Sequence, residues 1–368
     1  QLGAPVRWRT KRRRPLIPYG RLNVLSELYG RATKLRRAWY SRRPHRVRRL
    51  DRPVISVGNL VVGGSGKTPV VAALAKLLSD AGERPSILSP GYGRPESADG
   101  VVVVSDGERM CATVTQSGDE PYMLAQLLPR VPVFVSPDRY LSGRLAERRL
   151  GCTVHLLDDG FQHVQLGRDI ELVVIDRSHL DERLLPFGSL REPISAAQAA
   201  HALLVSASDT DVEAVTGQLR VEHVFTLAAK YDALRAIGGG RGEAFEAHDR
   251  RVVAVAGIAR PERFFAALRD LGWDVVRELV FRDHHWYTAR DVDAIRRVAA
   301  ETDVDLVITT EKDAVRLQPL VAQAPSPDGT VAWAVLPLEL VIEPPDRFSA
   351  WLAARLAAAR RRRMGEAA

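Results

Sequence analysis

The sequence predicts an α/β fold with a larger and a smaller sheet domain, preceded by an N-terminal amphipathic basic helix. Two observations predict the sheets: short apolar runs alternate with helical patterns, and the alternation resumes at Val252 after a stretch poor in apolar residues. Unbroken apolar strands separated by helices are typical of a parallel sheet covered on both faces. A third observation, the helical spacing of apolar residues within residues 16–40, predicts the first helix.

Changes in composition divide the chain into four predicted segments. We expect a basic amphipathic segment at 1–52, the larger domain at 53–229, a linker at 230–250 and a smaller α/β domain at 251–368. The linker is placed where apolar residues become sparse and three consecutive glycines occur. Glycine-rich stretches between periodic segments are typical of loops.

The predicted first helix separates apolar from basic side chains. Its apolar face holds Leu22, Leu25, Tyr29, Ala32 and Trp39, and its opposite face holds Arg31, Lys34 and Arg37. Such a helix is typical of a segment that lies on an anionic membrane surface. A nucleic-acid-binding arm and a solvated tail stay open as alternatives.

The net positive charge of the chain comes from this first segment. Residues 1–52 contain 17 Lys and Arg against 2 acidic residues, a net charge of +15. Because the whole chain carries +8, the remaining residues carry −7. A net acidic body without a recognised nucleic-acid module disfavours nucleic acid as a partner.

Composition excludes several other classes of protein. No run of the sequence approaches the roughly 20 apolar residues of a membrane-spanning helix, and no secretory signal is evident. The two cysteines, Cys111 and Cys152, are too few for a disulfide framework and belong to no Cys/His cluster. We therefore expect unpaired thiols in a reducing compartment.

The larger domain is predicted from six apolar runs and the helical patterns between them. The predicted strands are Val54–Val57, Ser86–Ser89, Val131–Ser136, Thr153–Leu157, Glu171–Ile175 and Ala202–Val205. The predicted helices are Val70–Ala81, Tyr122–Leu128 and Leu141–Leu150. In the smaller domain we expect strands at Val252–Ala256, Val304–Thr309 and Val331–Leu336, and helices at Pro261–Leu271 and Arg347–Arg360.

The loop after the first predicted strand has the composition of a phosphate-binding loop. It contains Gly63, Gly64, Ser65 and Gly66, followed by Lys67 and Thr68. Glycines allow backbone N–H groups to surround phosphate oxygens, the lysine can reach the β- and γ-oxygens, and the threonine hydroxyl can bind Mg²⁺. The loop therefore predicts a P-loop NTPase-type domain that binds a nucleoside triphosphate with Mg²⁺.

Two features qualify this prediction. Val61 stands where the usual GxxxxGK[ST] motif has its first glycine, so a purely structural glycine turn stays an alternative. No clear guanine-reading NKxD motif is present, which favours ATP over GTP.

A pair of acidic residues follows the fourth predicted strand of the larger domain. Asp158 and Asp159 come directly after the apolar run that begins at Thr153. An acidic residue at the end of such a strand is typical of the second metal-binding element of P-loop enzymes. A loop-capping role is the alternative for this pair.

Motifs spread over residues 57–314 resemble one enzyme family. They are Val57–Pro69, Gly91–Arg94, Gly118–Pro121, Asp158–His163, Leu185–Pro193, Ala256–Phe265, Asp283–His284 and Thr309–Ala314. Together they resemble tetraacyldisaccharide 4′-kinase, the lipid A pathway family that phosphorylates a membrane-borne acylated disaccharide. The motifs DDGFQH, LREP and TTEKDA carry the specificity, because a phosphate loop alone identifies no family.

The resemblance implies a reaction and a location. The chain would transfer the γ-phosphoryl group of ATP, with Mg²⁺, to the 4′-hydroxyl of a tetraacyl-disaccharide 1-phosphate. It would act as a peripheral protein at the cytoplasmic face of a bacterial inner membrane. Its partners would be the acylated disaccharide lipid and an anionic membrane surface, with neither nucleic acid nor a protein partner expected.

The resemblance also implies roles for four further residues. Glu192 would join Thr68 and the acidic pair around the metal, and Arg191 would be a cation on the transferring phosphate. Asp119 would take the hydroxyl proton and His284 would orient it. Because these two residues lie in different predicted domains, their contact would place the active site in the interdomain cleft.

The residues alone allow simpler interpretations of these positions. Adjacent Arg191 and Glu192 are typical of an exposed ion pair, Asp119 of a helix N-cap, and His284 of an ordinary surface or core histidine. A P-loop switch ATPase that regulates a protein partner and a basic-arm nucleic-acid-binding ATPase also stay open as functions. The segment Thr309–Asp313 follows a predicted strand, where ligands often bind, but receives no role.

Overall fold

The computed structural model describes residues 19–64, 66–96, 99–206, 209–237, 250–323 and 331–367. These residues form a nine-stranded and a five-stranded sheet, each with helices on both faces. The predicted α/β fold with a larger and a smaller sheet is confirmed.

The strands are numbered in chain order. They are β1 Val54–Gly58, β2 Pro85–Ser89, β3 Val102–Ser105, β4 Val133–Val135, β5 Val154–Asp158, β6 Ile170–Ile175, β7 Ala202–Val205, β8 Val224–Tyr231, β9 Arg235–Ala236, β10 Arg251–Ala256, β11 Asp274–Val280, β12 Leu306–Thr310, β13 Ala332–Leu336 and β14 Leu338–Glu343. The larger sheet has the order β14-β8-β7-β6-β1-β5-β2-β4-β3, and the smaller has the order β11-β10-β12-β13-β9.

The α-helices are also numbered in chain order. They are α1 Tyr19–Ser41, α2 Lys67–Asp80, α3 Val114–Ser117, α4 Asp119–Leu127, α5 Arg139–Leu150, α6 Asp209–Gln218, α7 Pro261–Asp270, α8 Ala289–Glu301, α9 Glu311–Gln323 and α10 Pro345–Ala367.

The larger sheet is parallel except at its two edges. Strand β1 lies at its centre between β5 and β6, while β3 and β14 pair antiparallel to β4 and β8. Helices α2, α4 and α10 pack on one face, and α5 and α6 pack on the other. Burial on both faces explains why the central strands are continuous apolar runs. Parallel order also brings the carboxyl ends of β1, β2 and β5 to one edge.

The smaller sheet follows the same plan. Strands β10 to β13 are parallel to their neighbours, with α8 and α9 on one face and α7 on the other. The short strand β9 pairs antiparallel to β13 and closes one edge.

The predicted extent of the smaller domain, 251–368, is wrong at its end. Strand β14 returns to the larger sheet by pairing with β8, and α10 buries Phe348 and Leu352 against the larger core. The apolar pattern of these residues fixes a buried strand and helix but not the sheet that buries them. The predicted linker 230–250 is also partly structured, because β8 continues through Tyr231 and β9 joins the smaller sheet. Residues 238–249 of that linker lie outside the described residues.

Helix α1 packs on the larger domain through small and polar side chains. The Ser26 hydroxyl donates a hydrogen bond to the Leu184 carbonyl oxygen at 3.1 Å, and Gly30 is buried against the same residue. Arg37, predicted on the basic face, turns toward the protein, where it meets the buried carboxylate of Glu192. The opposite side exposes a stripe of apolar residues, Val24, Leu25, Leu28, Leu35 and Trp39.

Among the described helices, none is both long enough and apolar enough to cross a bilayer.

Candidate active site

The glycine loop joins the end of β1 to the start of α2. Gly63 and Gly66 have φ of 104° and 77°, a left-handed region that favours glycine, and a Cβ on either would meet no atom within 4 Å. Lys67 and Thr68 begin α2, so the positive end of the helix dipole points at the loop. Ser65, also predicted to bind phosphate, lies outside the described residues.

A short antiparallel pairing brings Arg191 to this loop. The Arg191 amide donates to the Leu60 carbonyl oxygen at 2.6 Å, and the Val62 amide donates to the Ser189 carbonyl oxygen at 2.8 Å. The guanidinium of Arg191 then donates from Nη1 to Asp159 Oδ2 at 2.6 Å. Arg191 is therefore part of the loop cluster and is not an exposed ion-pair partner of Glu192.

The acidic pair lies at the end of β5, beside the glycine loop. Asp158 accepts a hydrogen bond from the Ser89 hydroxyl at 3.0 Å, and Asp159 Oδ1 lies 3.2 Å from Lys67 Nζ. Asp159 has a φ of 52°, which is unusual for a residue other than glycine and is often found at functional sites. Asp159 points into the cluster formed by Lys67 and Arg191, whereas Asp158 contacts Ser89.

The two carboxylates differ in their protonation. Burial, with the nearby charges of Glu120 and Asp159, raises the pKa of Asp158 to about 7. Burial also opposes ionisation of Asp159, but Lys67 and Arg191 outweigh it and lower the pKa of Asp159. A buried carboxylate with a raised pKa is typical of a position that a cation would stabilise.

The donor set fits Mg²⁺ only in part. Asp158 Oδ1 is buried without a hydrogen-bond partner, and carboxylate and hydroxyl oxygens are the ligands that Mg²⁺ prefers. Glu192, the third predicted acidic ligand, is instead held by Arg37, whose Nε and Nη2 donate to its two oxygens at 3.0 Å each. In the described part of the chain, no three His, Cys, Asp or Glu side chains group as a metal site. The predicted metal shell of Thr68, Asp158, Asp159 and Glu192 stays a prediction.

The structure brings Asp119 and His284 together across the two domains. His284 Nδ1 lies 3.0 Å from Asp119 Oδ2. Asp119 is the first residue of α4 and accepts a hydrogen bond from the adjacent Glu120 amide, but the N-cap is Gly118, so the N-cap interpretation of Asp119 is wrong. His284 has a φ of 59° in the turn after β11, which aims its ring at α4. Their catalytic roles stay predictions.

Burial and the neighbouring charges shift the pKa values of Asp119 and His284 in opposite directions. Burial would raise the pKa of Asp119, but the hydrogen bond with His284 and the charges of Lys312 and Arg316 lower it to about 2. The hydrogen bond to Asp119 raises the pKa of His284, while burial and Lys312 act against that rise. Asp119 is therefore ionised throughout the physiological range.

Two cations beside the pair were missed by the sequence reasoning. Arg316 Nη2 donates to Asp119 Oδ2 at 2.6 Å, and Lys312 Nζ lies 3.1 Å from His284 Nε2. Both belong to α9, and Lys312 lies within the TTEKDA motif to which no role was given. The sequence indicated this site only through the position of the motif at the end of a predicted strand, where ligands often bind.

A second set of contacts closes the other side of the cleft. Asp176 of the larger domain accepts hydrogen bonds from Arg260 at 2.9 Å and from Arg263 at 2.6 Å. Between the two sets, a Cβ on Gly64 would lie 3.0 Å from the Ala259 Cβ. The glycine loop is thus approached directly by the smaller domain.

A cavity of about 470 Å³ opens beside the cluster. It lies between α1 and the glycine loop, and its lining includes Tyr29, Arg36, Arg37, Tyr92 and Arg191. Aromatic faces and guanidinium groups are suited to a sugar that carries phosphate.

Comparison with known proteins gives concordant matches. The family model described as tetraacyldisaccharide-1-P 4′-kinase matches residues 20–357. A tetraacyldisaccharide 4′-kinase of Geobacter metallireducens is 40% identical over 328 residues, which cover 87% of this chain and 94% of that protein. One from Anaeromyxobacter dehalogenans is 42% identical over 308 residues, 80% of each chain.

A solved structure matches over most of the fold. The crystal structure of the “apo” form of LpxK from Aquifex aeolicus in complex with ATP has a TM-score of 0.73 and 32% sequence identity. The match covers 91% of this chain and 98% of that chain. Both sheets of the described fold are therefore shared with a protein of known structure.

Proposed function

Because the chain belongs to the tetraacyldisaccharide-1-P 4′-kinase family, we propose that the cleft between its two sheets is the active site of this kinase. The enzyme transfers the terminal phosphoryl group of ATP to the 4′-hydroxyl of a tetraacyl-disaccharide 1-phosphate in lipid A biosynthesis. The observation that carries the proposed site is the contact between Asp119 and His284, because it joins the two domains.

We assign the nucleotide phosphates to the glycine loop, including Ser65, and to Lys67. The open backbone at Gly63 and Gly66 supports this assignment, since nothing prevents their N–H groups from meeting phosphate oxygens. Lys67 would hold the β- and γ-phosphates, and the start of α2 adds a favourable dipole.

We assign Mg²⁺ to the Thr68 hydroxyl and to Asp158, with Asp159 and Glu192 as further ligands. The unpaired buried oxygen of Asp158 supports this assignment. When bound, the ion neutralises charge on the phosphates. Arg191 would place a second cation on the transferring phosphoryl group, where it stabilises the charge of the transition state.

Asp119 accepts the proton of the 4′-hydroxyl in this proposal, and His284 orients its carboxylate. A weakly basic carboxylate suffices, because phosphoryl transfer depends mainly on positioning and on charge stabilisation. Two hydrogen bonds support the positioning role, because both hold the same oxygen of Asp119. Asp119 Oδ2 lies 3.0 Å from His284 Nδ1 and 2.6 Å from Arg316 Nη2.

The acceptor sugar would enter through the cavity beside Arg191. Its volume of about 470 Å³ and its position against α1 support this entrance, because the acceptor carries acyl chains that stay in the bilayer. Helix α1 would lie on the anionic membrane surface, with its apolar stripe in the headgroup region. Leu28 and Leu35, 54% and 70% exposed, are the centre of that stripe, and Arg31 and Arg36 flank it.

The same reasoning supports a peripheral location at the cytoplasmic face of the bacterial inner membrane. ATP is available on that face, and α1 supplies the apolar and basic groups that an interfacial helix requires.

A phosphorylation assay tests the proposed function. Purified enzyme, ATP, Mg²⁺ and detergent-dispersed tetraacyl-disaccharide 1-phosphate are combined, and the lipid is followed by mass spectrometry. We expect a gain of one phosphate that is lost in Lys67→Ala and kept in Lys76→Ala, an exposed lysine on the same helix. Hydrolysis of ATP without any change in lipid mass would contradict the proposal.

A further inference from the structure

The TTEKDA motif forms the junction between β12 and α9 and faces the cleft. Asp313 anchors this junction: it is fully buried and accepts hydrogen bonds from the Gly257 amide at 2.8 Å and the Thr310 hydroxyl at 2.7 Å. Strand β10, the start of α9 and the loop that precedes α7 are thereby tied together. The anchor fixes the direction of the first turns of α9.

Two basic side chains project from the same side of α9, one helical turn apart. Lys312 and Arg316 are separated by four positions, so their side chains point the same way. Arg316 Nη2 donates to Asp119 Oδ2 at 2.6 Å, and its Nη1 donates to the His285 carbonyl oxygen. Arg316 is almost fully buried, with 1% of its side chain exposed.

Lys312 contacts three side chains from two elements, the start of α4 and the turn after β11. Its Nζ lies 3.1 Å from His284 Nε2, 3.1 Å from Asp283 Oδ1 and 3.0 Å from Glu120 Oε1. An ammonium group has three N–H donors and no acceptor, and these three contacts account for all of them.

The partners of His284 determine where its ring carries a proton. Asp119 is ionised and can only accept, so Nδ1 must be the donor in the 3.0 Å contact. Lys312 can only donate, so Nε2 must offer its lone pair. The other acid near Nε2, Asp283, is 3.9 Å away and too far to accept a hydrogen bond.

We propose that Lys312 is a positioning residue that holds His284 as the neutral tautomer with its proton on Nδ1. His284 then donates to Asp119 and fixes the carboxylate that receives the hydroxyl proton. This inference rests on the proposed function for its catalytic meaning, but the tautomer can be measured without any turnover.

The charges around the ring agree with this role. Burial would lower the pKa of Lys312, but Glu120, Asp119 and Asp283 outweigh it and raise the pKa, so the ammonium persists. His284 faces Asp119 from α4, Lys312 from α9 and Asp283 from its own turn. Asp119 raises the pKa of His284 and Lys312 opposes that rise. Removal of the ammonium would therefore make the ring easier to protonate.

Kinetics of Lys312→Met test the proposal. We expect kcat to fall about tenfold to 100-fold, less than the roughly 10²- to 10⁴-fold contribution of a general base, because the base is displaced and not removed, with KM for ATP changed less than about threefold. We also expect the acid limb of the pH profile to move to higher pH, since His284 loses the charge that opposes its protonation. Lys312→Arg keeps the positive charge and should therefore retain part of kcat and a pH profile close to that of the wild type. The control Lys76→Met should leave both kcat and the pH profile unchanged.

A ring-nitrogen measurement separates this proposal from the function on which it rests. In protein with ¹⁵N-labelled histidine, assigned by His284→Asn, we expect an unprotonated Nε2 at neutral pH in the wild type. In Lys312→Met we expect a mixture of tautomers or a protonated ring. A wild-type ring with its proton on Nε2, or a Lys312→Met variant with the wild-type signals and pH profile, would overturn the proposal. Absence of lipid phosphorylation by the wild type would instead count against the proposed function.

Discussion

Arg37 joins α1 to the cluster beside the glycine loop, and its loss should loosen α1. Its Nε and Nη2 hold both oxygens of Glu192 at 3.0 Å, its Nη2 also donates to the Phe161 carbonyl oxygen, and its guanidinium lies 4.1 Å from the Phe161 ring centre. Glu192 exposes only 7% of its side chain. An Arg37→Met variant would leave this carboxylate without its cation.

The magnitude follows from the burial of the two partners. Removal of one partner of a fully buried pair costs roughly 3–5 kcal/mol. Because 21% of the Arg37 side chain is exposed, water replaces part of the loss. We expect about 2–3 kcal/mol, which corresponds to roughly 30-fold to 150-fold more frequent opening of α1.

Hydrogen exchange of α1 peptides measures this opening. Arg37→Met should exchange faster by that factor, while Arg31→Met, on the exposed side of the same helix, should match the wild type. Glu192→Gln combined with Arg37→Met should cost less than the sum of the two single changes, because the two side chains share one interaction. Equal protection of α1 in Arg37→Met and Arg31→Met would refute the reasoning.

Three further predictions concern the membrane face, the cleft and the pH dependence. Replacement of both Leu28 and Leu35 by Glu should weaken binding to anionic vesicles at least tenfold, because these side chains form the centre of the apolar stripe. The control Leu271→Glu, at an exposed leucine far along the chain, should bind like the wild type. Flotation of vesicles measures the fraction of bound protein. Ala259→Leu should lower kcat about tenfold or more with ATP affinity within about threefold, since Ala259 faces Gly64 so closely that a Cβ added to that glycine would lie 3.0 Å from the Ala259 Cβ. Steady-state kinetics and ATP titration measure the two effects. Activity should fall as His284 becomes protonated, because protonation sets an N–H against Lys312. The midpoint of this acid limb in the wild type should lie above 6.5, because the hydrogen bond to Asp119 raises the pKa of His284, and a midpoint below 6.5 would contradict this.

Local patterns in the sequence predicted the sheets and the glycine loop because these features depend on neighbouring residues. Strand β1, the loop and the start of α2 are set by apolar runs, glycines and a helix start within fifteen residues. The same local information could not assign β14 and α10 to a domain. Their apolar residues suit either core, and the choice is made by pairing with β8, more than a hundred residues earlier.

The candidate site was predicted where motifs mark it and missed where charges act at long range. Lys67, Arg191, Asp158 and Asp159 form one cluster, and Asp119 meets His284. The position of Lys312 at a strand end indicated a ligand-binding edge but no role, because its contacts come from two distant segments and a lone lysine in a motif has no fixed chemistry. The contact of Arg37 with the protein could not be predicted for a similar reason: its partner, Glu192, follows 155 positions later.

The central claim is that Asp119 and His284 act as one unit across the cleft. Lipid phosphorylation rates of Asp119→Asn, His284→Asn and the double variant test it most directly. When two residues act as a unit, the effects of their substitutions on the rate do not multiply. We therefore expect the rate of the double variant to equal that of Asp119→Asn alone, within about threefold. If the two losses multiply instead, the residues act independently and the proposed pairing is wrong.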